Sequence, residues 1–227
     1  IVLALVECVR FALAYPDVSN HYLIECLAIA IFAVVDLDRE EEQGLCLQLL
    51  AWLVVVALFA SGLQKVLHGA YFKGQYLAYM IANTDRFRDF FGPLLSAADL
   101  AHLKALAGAT DHLHFAFGHA LGPMPGPYRV HSLLFVAISN AVWLGELTVS
   151  IGLLSRKIRP AALACGLLLM AGILASSHEV FFDTLFVNLL LLFARSDLNR
   201  KLLPLSLAAY ALYLLVGFGV VHASFVW

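Results

Sequence analysis

Apolar residues run through this chain in long blocks separated by short polar clusters, and the blocks have the length of membrane crossings. A helix needs about 20 mostly apolar residues to pass through the hydrocarbon core. On that rule the pattern predicts about seven spans, near 1–15, 20–36, 45–66, 129–153, 159–176, 180–195 and 202–222. Polar connections divide them: Pro16 to Asn20, Asp36 to Gln43, Ser155 to Pro160 and Arg195 to Lys201. The first span is short and carries Glu7 and Arg10, which at i,i+3 are placed to pair on one helix face. The expected fold is all-α, a polytopic transmembrane helix bundle forming one helical membrane domain over 1–227.

The stretch 67–127 breaks the pattern. It mixes Gly and Pro with short amphipathic runs and holds four basic and four acidic residues. It reads as an extracytoplasmic cap of interfacial helices. Ile1 stands where an initiator methionine would, which leaves room for an upstream helix or signal.

Composition agrees with the bilayer: 62% hydrophobic residues, 13% charged and a mean hydropathy of +0.87 do not describe a water-soluble globule. A net charge of -2, with basic residues in short scattered groups, excludes an electrostatic footprint for nucleic acid. Cys8, Cys26, Cys46 and Cys165 sit singly in apolar sequence and read as small buried core residues. Arg39, then Arg156, Lys157 and Arg159, then Arg195, Arg200 and Lys201 fall in alternate loops, so they share one side. Positive charge marks the cytoplasmic side. The expectation is a bacterial inner membrane protein with its amino end inside, its carboxyl end outside and 67–127 outside. All nine histidines then lie on or near the outer side, although histidine suits interfaces anyway.

Lys65 closes the apolar run from Gly44 to Leu63. An ammonium at the edge of hydrocarbon is costly unless it is paired, lines a cavity or snorkels to the headgroups. Shielded from water, it becomes a base able to work near neutral pH. His21 and Glu25 share a helical face in the second span at a similar depth. The turn between the fifth and sixth spans adds Ser176, Ser177, His178 and Glu179, with Asp183 at i+4 from Glu179. These groups are candidates to converge on one outward-opening pocket. Glu146 falls in the inner half of the fourth span, where a helix–helix hydrogen bond is the leading reading. His112, His114 and His119 offer imidazoles for Zn or Cu, but the spacing is unspecific, a solvated loop competes and a metal is not the favoured expectation. No G-x-S-x-G, Walker A, H-E-x-x-H or Gly-rich dinucleotide motif is present.

Leu58-Phe59-Ala60-Ser61-Gly62-Leu63-Gln64-Lys65-Val66, followed by Tyr71-Phe72-Lys73-Gly74, resembles the third-span motif of vitamin K-dependent gamma-carboxylases and their bacterial relatives, the HTTM-domain proteins. Ser19-Asn20-His21-Tyr22-Leu23 resembles that family's Asn-His element, and Glu146 to Phe193 its paired helices with a basic inner turn and Val180-Phe181-Phe182 at the outer turn. The resemblance implies Lys65 as the base toward a reduced, vitamin K-like quinone, His21 as its assistant, and an exported peptide glutamate as the group modified. It agrees with a periplasmic-facing site near the outer surface, inside protein and away from lipid, where Glu25, His178, Glu179 and Asp183 are by their own placement the expected cofactor-binding groups. Two departures stand out. Gly172-Ile173-Leu174-Ala175 occupies the stretch where the family often has a histidine, with His178 about one turn later. The family's large soluble carboxyl-terminal region has no counterpart before Trp227, so substrate capture is expected to need a partner chain. The alternative expectation is a non-catalytic membrane subunit that stabilises a larger complex or assists the handling of an exported protein or metal.

Overall fold

The computed structural model describes residues 2–14, 20–107, 114–116, 119–121, 128–194 and 196–217. Helices appear at each of the seven expected places: α1 Val2–Ala14, α2 Asn20–Val34, α3 Glu40–His68, α7 Leu133–Leu154, α8 Arg159–Ser177, α9 Val180–Leu191 and α10 Ser196–Gly217. Between α3 and α7 come α4 Gln75–Asn83, α5 Asp85–Phe91, a 3-10 turn at Gly92–Leu94 and α6 Ala97–Ala105. A short antiparallel ribbon pairs β1 His114–Ala116 with β2 His119–Leu121.

Among the described residues, three helices, α3, α7 and α8, are long and apolar enough to cross a membrane. The expectation of seven full spans is met only to that extent. α1, α2 and α9 have 13, 15 and 12 residues, and at 1.5 Å per residue the longest of them reaches only about 22 Å against a core of about 30 Å. α10 has 22 residues, but it opens with Asp197, Asn199, Arg200 and Lys201 and contains Pro204. Large side chains stand bare on the long helices: Leu133 is 86% exposed, Leu67 76% and Leu168 74%. So much exposed apolar surface is unfavourable in water and fits a lipid surrounding.

Two cores divide the molecule. The first joins Cys46, Leu50, Val54 and Leu58 of α3 to Val149 and Leu153 of α7, Leu163 and Met170 of α8, and Leu189 and Leu190 of α9. The second gathers Tyr71, the α4 residues Leu77, Ala78 and Ile81, Phe91, Leu103 and Tyr128 around Phe135 of α7. α7 therefore belongs to both, its first half to the second core and its last half to the first. Its buried positions, Phe135, Ser139, Glu146, Val149, Ser150 and Leu153, recur at helical spacing along one face.

Local chemistry fixes how the shorter helices join the bundle. Gly74 has φ +70°, and a Cβ there would come 3.1 Å from the Phe135 ring, so the turn after α3 closes against α7 only with glycine. Ser139 Oγ donates to the Tyr71 carbonyl at 2.8 Å and Asn140 Nδ2 to the Phe72 carbonyl at 3.1 Å. Arg88 donates to the carbonyls of Ile81 and Ala82 at the end of α4 and pairs with Asp85. Ser96 accepts from the Asp99 amide and caps α6. Asp99 in turn accepts from His131, at 2.8 Å from Nδ1 and 3.3 Å from the backbone amide. Those hydrogen bonds outweigh the effect of burial and hold the Asp99 carboxyl below its usual range.

The cysteines differ from the expectation of four core residues. Cys26 and Cys46 are buried, whereas Cys8 and Cys165 are exposed. Cys8 Sγ lies 3.3 Å from Cys26 Sγ, across the contact between α1 and α2.

Candidate functional site

α3 and α7 run antiparallel. They approach closely at Gly62, where an added Cβ would meet Leu147 Cγ at 2.8 Å and the Trp143 carbonyl at 3.1 Å. Only a residue without a side chain allows this approach, and it places Lys65 of α3 beside Glu146 of α7. Lys65 Nζ donates to Glu146 Oε1 and Oε2, both at 2.8 Å, and to Ser61 Oγ at 2.6 Å. Ser61 Oγ stands 3.2 Å from Glu146 Oε1 and donates to it. The Lys65 side chain is 18% exposed and that of Glu146 7%. The face of Tyr71 lies 5.4 Å from the ammonium, within cation–π range.

The direction of Lys65 decides between readings. A lysine snorkelling from the end of α3 would extend past His68 toward the headgroups. Lys65 instead runs back to Ser61, one helical turn or about 5.4 Å toward the middle of α3. Side chains on a helix lean toward its amino end, and the carboxylate fixes this one there. Snorkelling is thereby excluded, and Glu146 is the counter-ion that a buried lysine requires. Reading Glu146 as a helix–helix hydrogen-bonding residue holds. Residue number alone does not pair Glu146 with Lys65, because it takes no account of the length of the Lys65 side chain or of the stagger between α3 and α7.

The pair stands at the seam of the two cores, since Trp143 belongs to the second and Val149 to the first. Beyond it runs an aromatic wall. Tyr71 stacks on Tyr76 with ring centroids 4.9 Å apart. Burial pushes the Tyr71 hydroxyl upward, and Tyr76 and the Glu146 charge push it further. Tyr76 is likewise raised, first by burial, then by Glu179 and then by Tyr79. Both rings therefore stay neutral at physiological pH and reach from Lys65 toward the α8–α9 corner.

The other candidate residues are placed as follows. His178 ends α8 in the left-handed conformation, φ 59°, which its role as helix cap explains. Arg86 Nη1 donates to the Ser177 carbonyl at 3.3 Å and ties α5 to that corner. Asp183 is 4% exposed, and neither its carboxyl oxygens nor His178 Nδ1 has a hydrogen-bond partner among the described residues. Glu179 lies close enough for its charge to act on both Asp183 and Tyr76. Glu25 acts on Tyr210, whose hydroxyl accepts from Asn188 Nδ2 at 3.4 Å. It thus faces the α9–α10 side. His21 opens α2, and its side chain lies outside the described residues. α2 and α3 line one apolar concavity together, through Leu27, Ile31 and Val34 on one side and Leu49, Leu53 and Val56 on the other.

Of the histidines considered for metal, His112 lies outside the described residues. His114 and His119 fall on β1 and β2, with their side chains outside the described set. Among the described residues no group of three or more His, Cys, Asp and Glu side chains is placed to hold a metal ion. Two surface concavities lie away from the pair. One, of about 400 Å³, is lined only by apolar residues of α2 and α3; the other, of about 140 Å³, lies beside Gln48, Leu153, Arg159 and Phe193.

Fold and site together define a helical membrane protein with a buried lysine–glutamate pair between two of its long apolar helices. No family model, curated protein or solved structure matches this chain.

Proposed function

We propose that this protein is an HTTM-like relative of the vitamin K-dependent gamma-carboxylases that binds a reduced quinone beside Lys65 and acts, with a partner chain, on an exported peptide. The observation that carries the reading is an ammonium bonded to both oxygens of a buried carboxylate yet 18% exposed. Intramembrane ionisable residues are rare and costly, and one that faces protein and is reachable is by default a functional-site hypothesis. The residues fit a hydroxylated aromatic ring: Lys65 offers positive charge, Glu146 and Ser61 offer acceptors, and Tyr71 and Tyr76 offer a neutral aromatic face. Such a quinol, when bound, supplies an acidic hydroxyl and reducing electrons. Lys65 orients the hydroxyl oxygen, the Lys65–Glu146 pair accepts its proton, and His21 assists at the peptide. The basic loops face the cytoplasm, which sets the site toward the outer half of the membrane.

The test is equilibrium binding of menadiol, a naphthoquinol, to the chain in phosphatidylcholine nanodiscs under anaerobic conditions. Saturable binding that Lys65→Met removes supports the reading. Equal binding by wild type and Lys65→Met overturns it.

One observation favours a second reading. Every Nζ hydrogen already has a protein acceptor, as expected of a clamp between α3 and α7 in a non-catalytic membrane subunit. On that reading Lys65→Met lowers stability or abundance of a complex while menadiol binding is absent from the wild type as well.

A further inference from the structure

The three hydrogens of the Lys65 ammonium are all engaged, one on Ser61 Oγ at 2.6 Å and two on the Glu146 oxygens at 2.8 Å. Lysine has no acceptor while it is charged. With all three hydrogens engaged and the Tyr71 ring face 5.4 Å away, the ammonium turns no lone pair toward a ligand. Glu146 is in the opposite condition. A carboxylate has about four acceptor positions, and three are filled, two by Lys65 and one by Ser61.

We infer that Glu146, and not the Lys65 amine, holds the proton taken from a ligand at this site, while Lys65 stays an ammonium and becomes the counter-ion of the ligand oxygen. The inference rests on the proposed binding of a quinol. The ligand meets Lys65 first, because Lys65 is the more exposed partner. Its O–H bond breaks, an O–H bond forms on Glu146, and Nζ keeps three hydrogens. Ser61 Oγ, which accepts from Nζ and donates to Oε1, is placed to pass the proton along. The resting pair is neutral, and so is the bound state, with Glu146 protonated and Lys65 facing a negative oxygen. Neutrality before and after is what a site of low polarity requires, because an uncompensated buried charge is strongly unfavourable. Even if a proton first crossed from Lys65 to Glu146 and the amine then took the ligand's, the end point would be the same.

The experiment is difference infrared spectroscopy of the full chain in phosphatidylcholine nanodiscs, with and without menadiol, using protein carrying 13C-labelled glutamate. A carboxylic-acid C=O band is expected on addition of menadiol, shifted by the label. In Glu146→Asp, which keeps the charge and so protects folding, the acid band persists but loses its sensitivity to the glutamate label. Menadiol binding without a label-sensitive acid band overturns the inference while the quinol site stands, as does a label-sensitive band that survives Glu146→Asp. Absence of menadiol binding overturns the proposed function and this inference with it.

Discussion

Lys65 and Glu146 stabilise the structure only as a couple. Removing one partner strands the other in a site too buried to hydrate it, so Lys65→Met and Glu146→Leu are each expected to cost about 3–5 kcal/mol. The double variant is expected to lose less than either single one, because it replaces a buried ion pair with apolar contacts between α3 and α7. Denaturation by SDS in mixed micelles measures all four forms of the cycle, and single costs that simply add would show that the two groups do not act as one unit. Lys65 was legible in the sequence because a cation closing an apolar run demands a reason. Glu146 was less so: its depth had to be inferred through a flexible lysine and a stagger set by Gly62, and neither is visible in the hydropathy pattern. A stricter rule, that an intramembrane lysine must find a carboxylate, would have left Glu7, Glu25, Glu146 and Asp183 as the choices.

Helices α3, α7 and α8 were readable from apolar length alone, because lipid imposes length directly on sequence. The helices between α3 and α7 were readable only as a mixed segment, since what shapes them is hydrogen bonding at particular residues. Asp99 is the clearest case, with Ser96 at the cap of its own helix and His131 far along the chain. The folded carboxyl lies below its ordinary value of 3.8. The stability it contributes is therefore complete above that value and disappears as pH falls through the lower folded one. The difference in unfolding free energy between wild type and Asp99→Asn should be constant through neutral pH and narrow in acid below 3.8; a difference unchanged at the lowest pH would rule out the carboxylate as its source. Cys8 of α1 and Cys165 of α8 differ from the expectation of burial for a related reason, as an apolar setting does not reveal which face carries a cysteine. Cys26 is buried as expected and lies against Cys8. Their 3.3 Å separation exceeds a disulfide bond by little enough for rotamer adjustment to close it. Copper–phenanthroline should join Cys8 to Cys26 within one chain lacking Cys46 and Cys165, detected by mass spectrometry of the peptides. Failure to cross-link would place α1 elsewhere.

Across the whole molecule, the antiparallel course of α3 and α7 decides which loops share an end. Val55 and Leu153 line the smaller concavity together, so the start of α3 and the end of α7 point toward the same end of the bundle. Arg159 Nε donates to the Leu153 carbonyl at 2.9 Å, and its guanidinium stands 5.8 Å from the Phe193 ring, which brings the end of α9 to the same place. Arg39, Arg156, Lys157 and Arg159 therefore lie toward the same end of the bundle, and α4 to α6 stand toward the other with the turn after α3. Alternation of loops along the sequence predicts this grouping, and the packing of α3, α7 and α9 supplies its physical basis. The positive-inside rule predicts a cytoplasmic position for the basic end. In a cysteine-free background, Asp38→Cys and Lys157→Cys should react with an impermeant maleimide only in inverted vesicles, and Lys104→Cys of α6 only in right-side-out ones. Reaction of Asp38→Cys and Lys157→Cys from opposite sides would break the antiparallel arrangement itself. Reaction of both from the outside would keep the fold but turn the Lys65–Glu146 site toward the cytoplasmic half, where an exported peptide could not meet it.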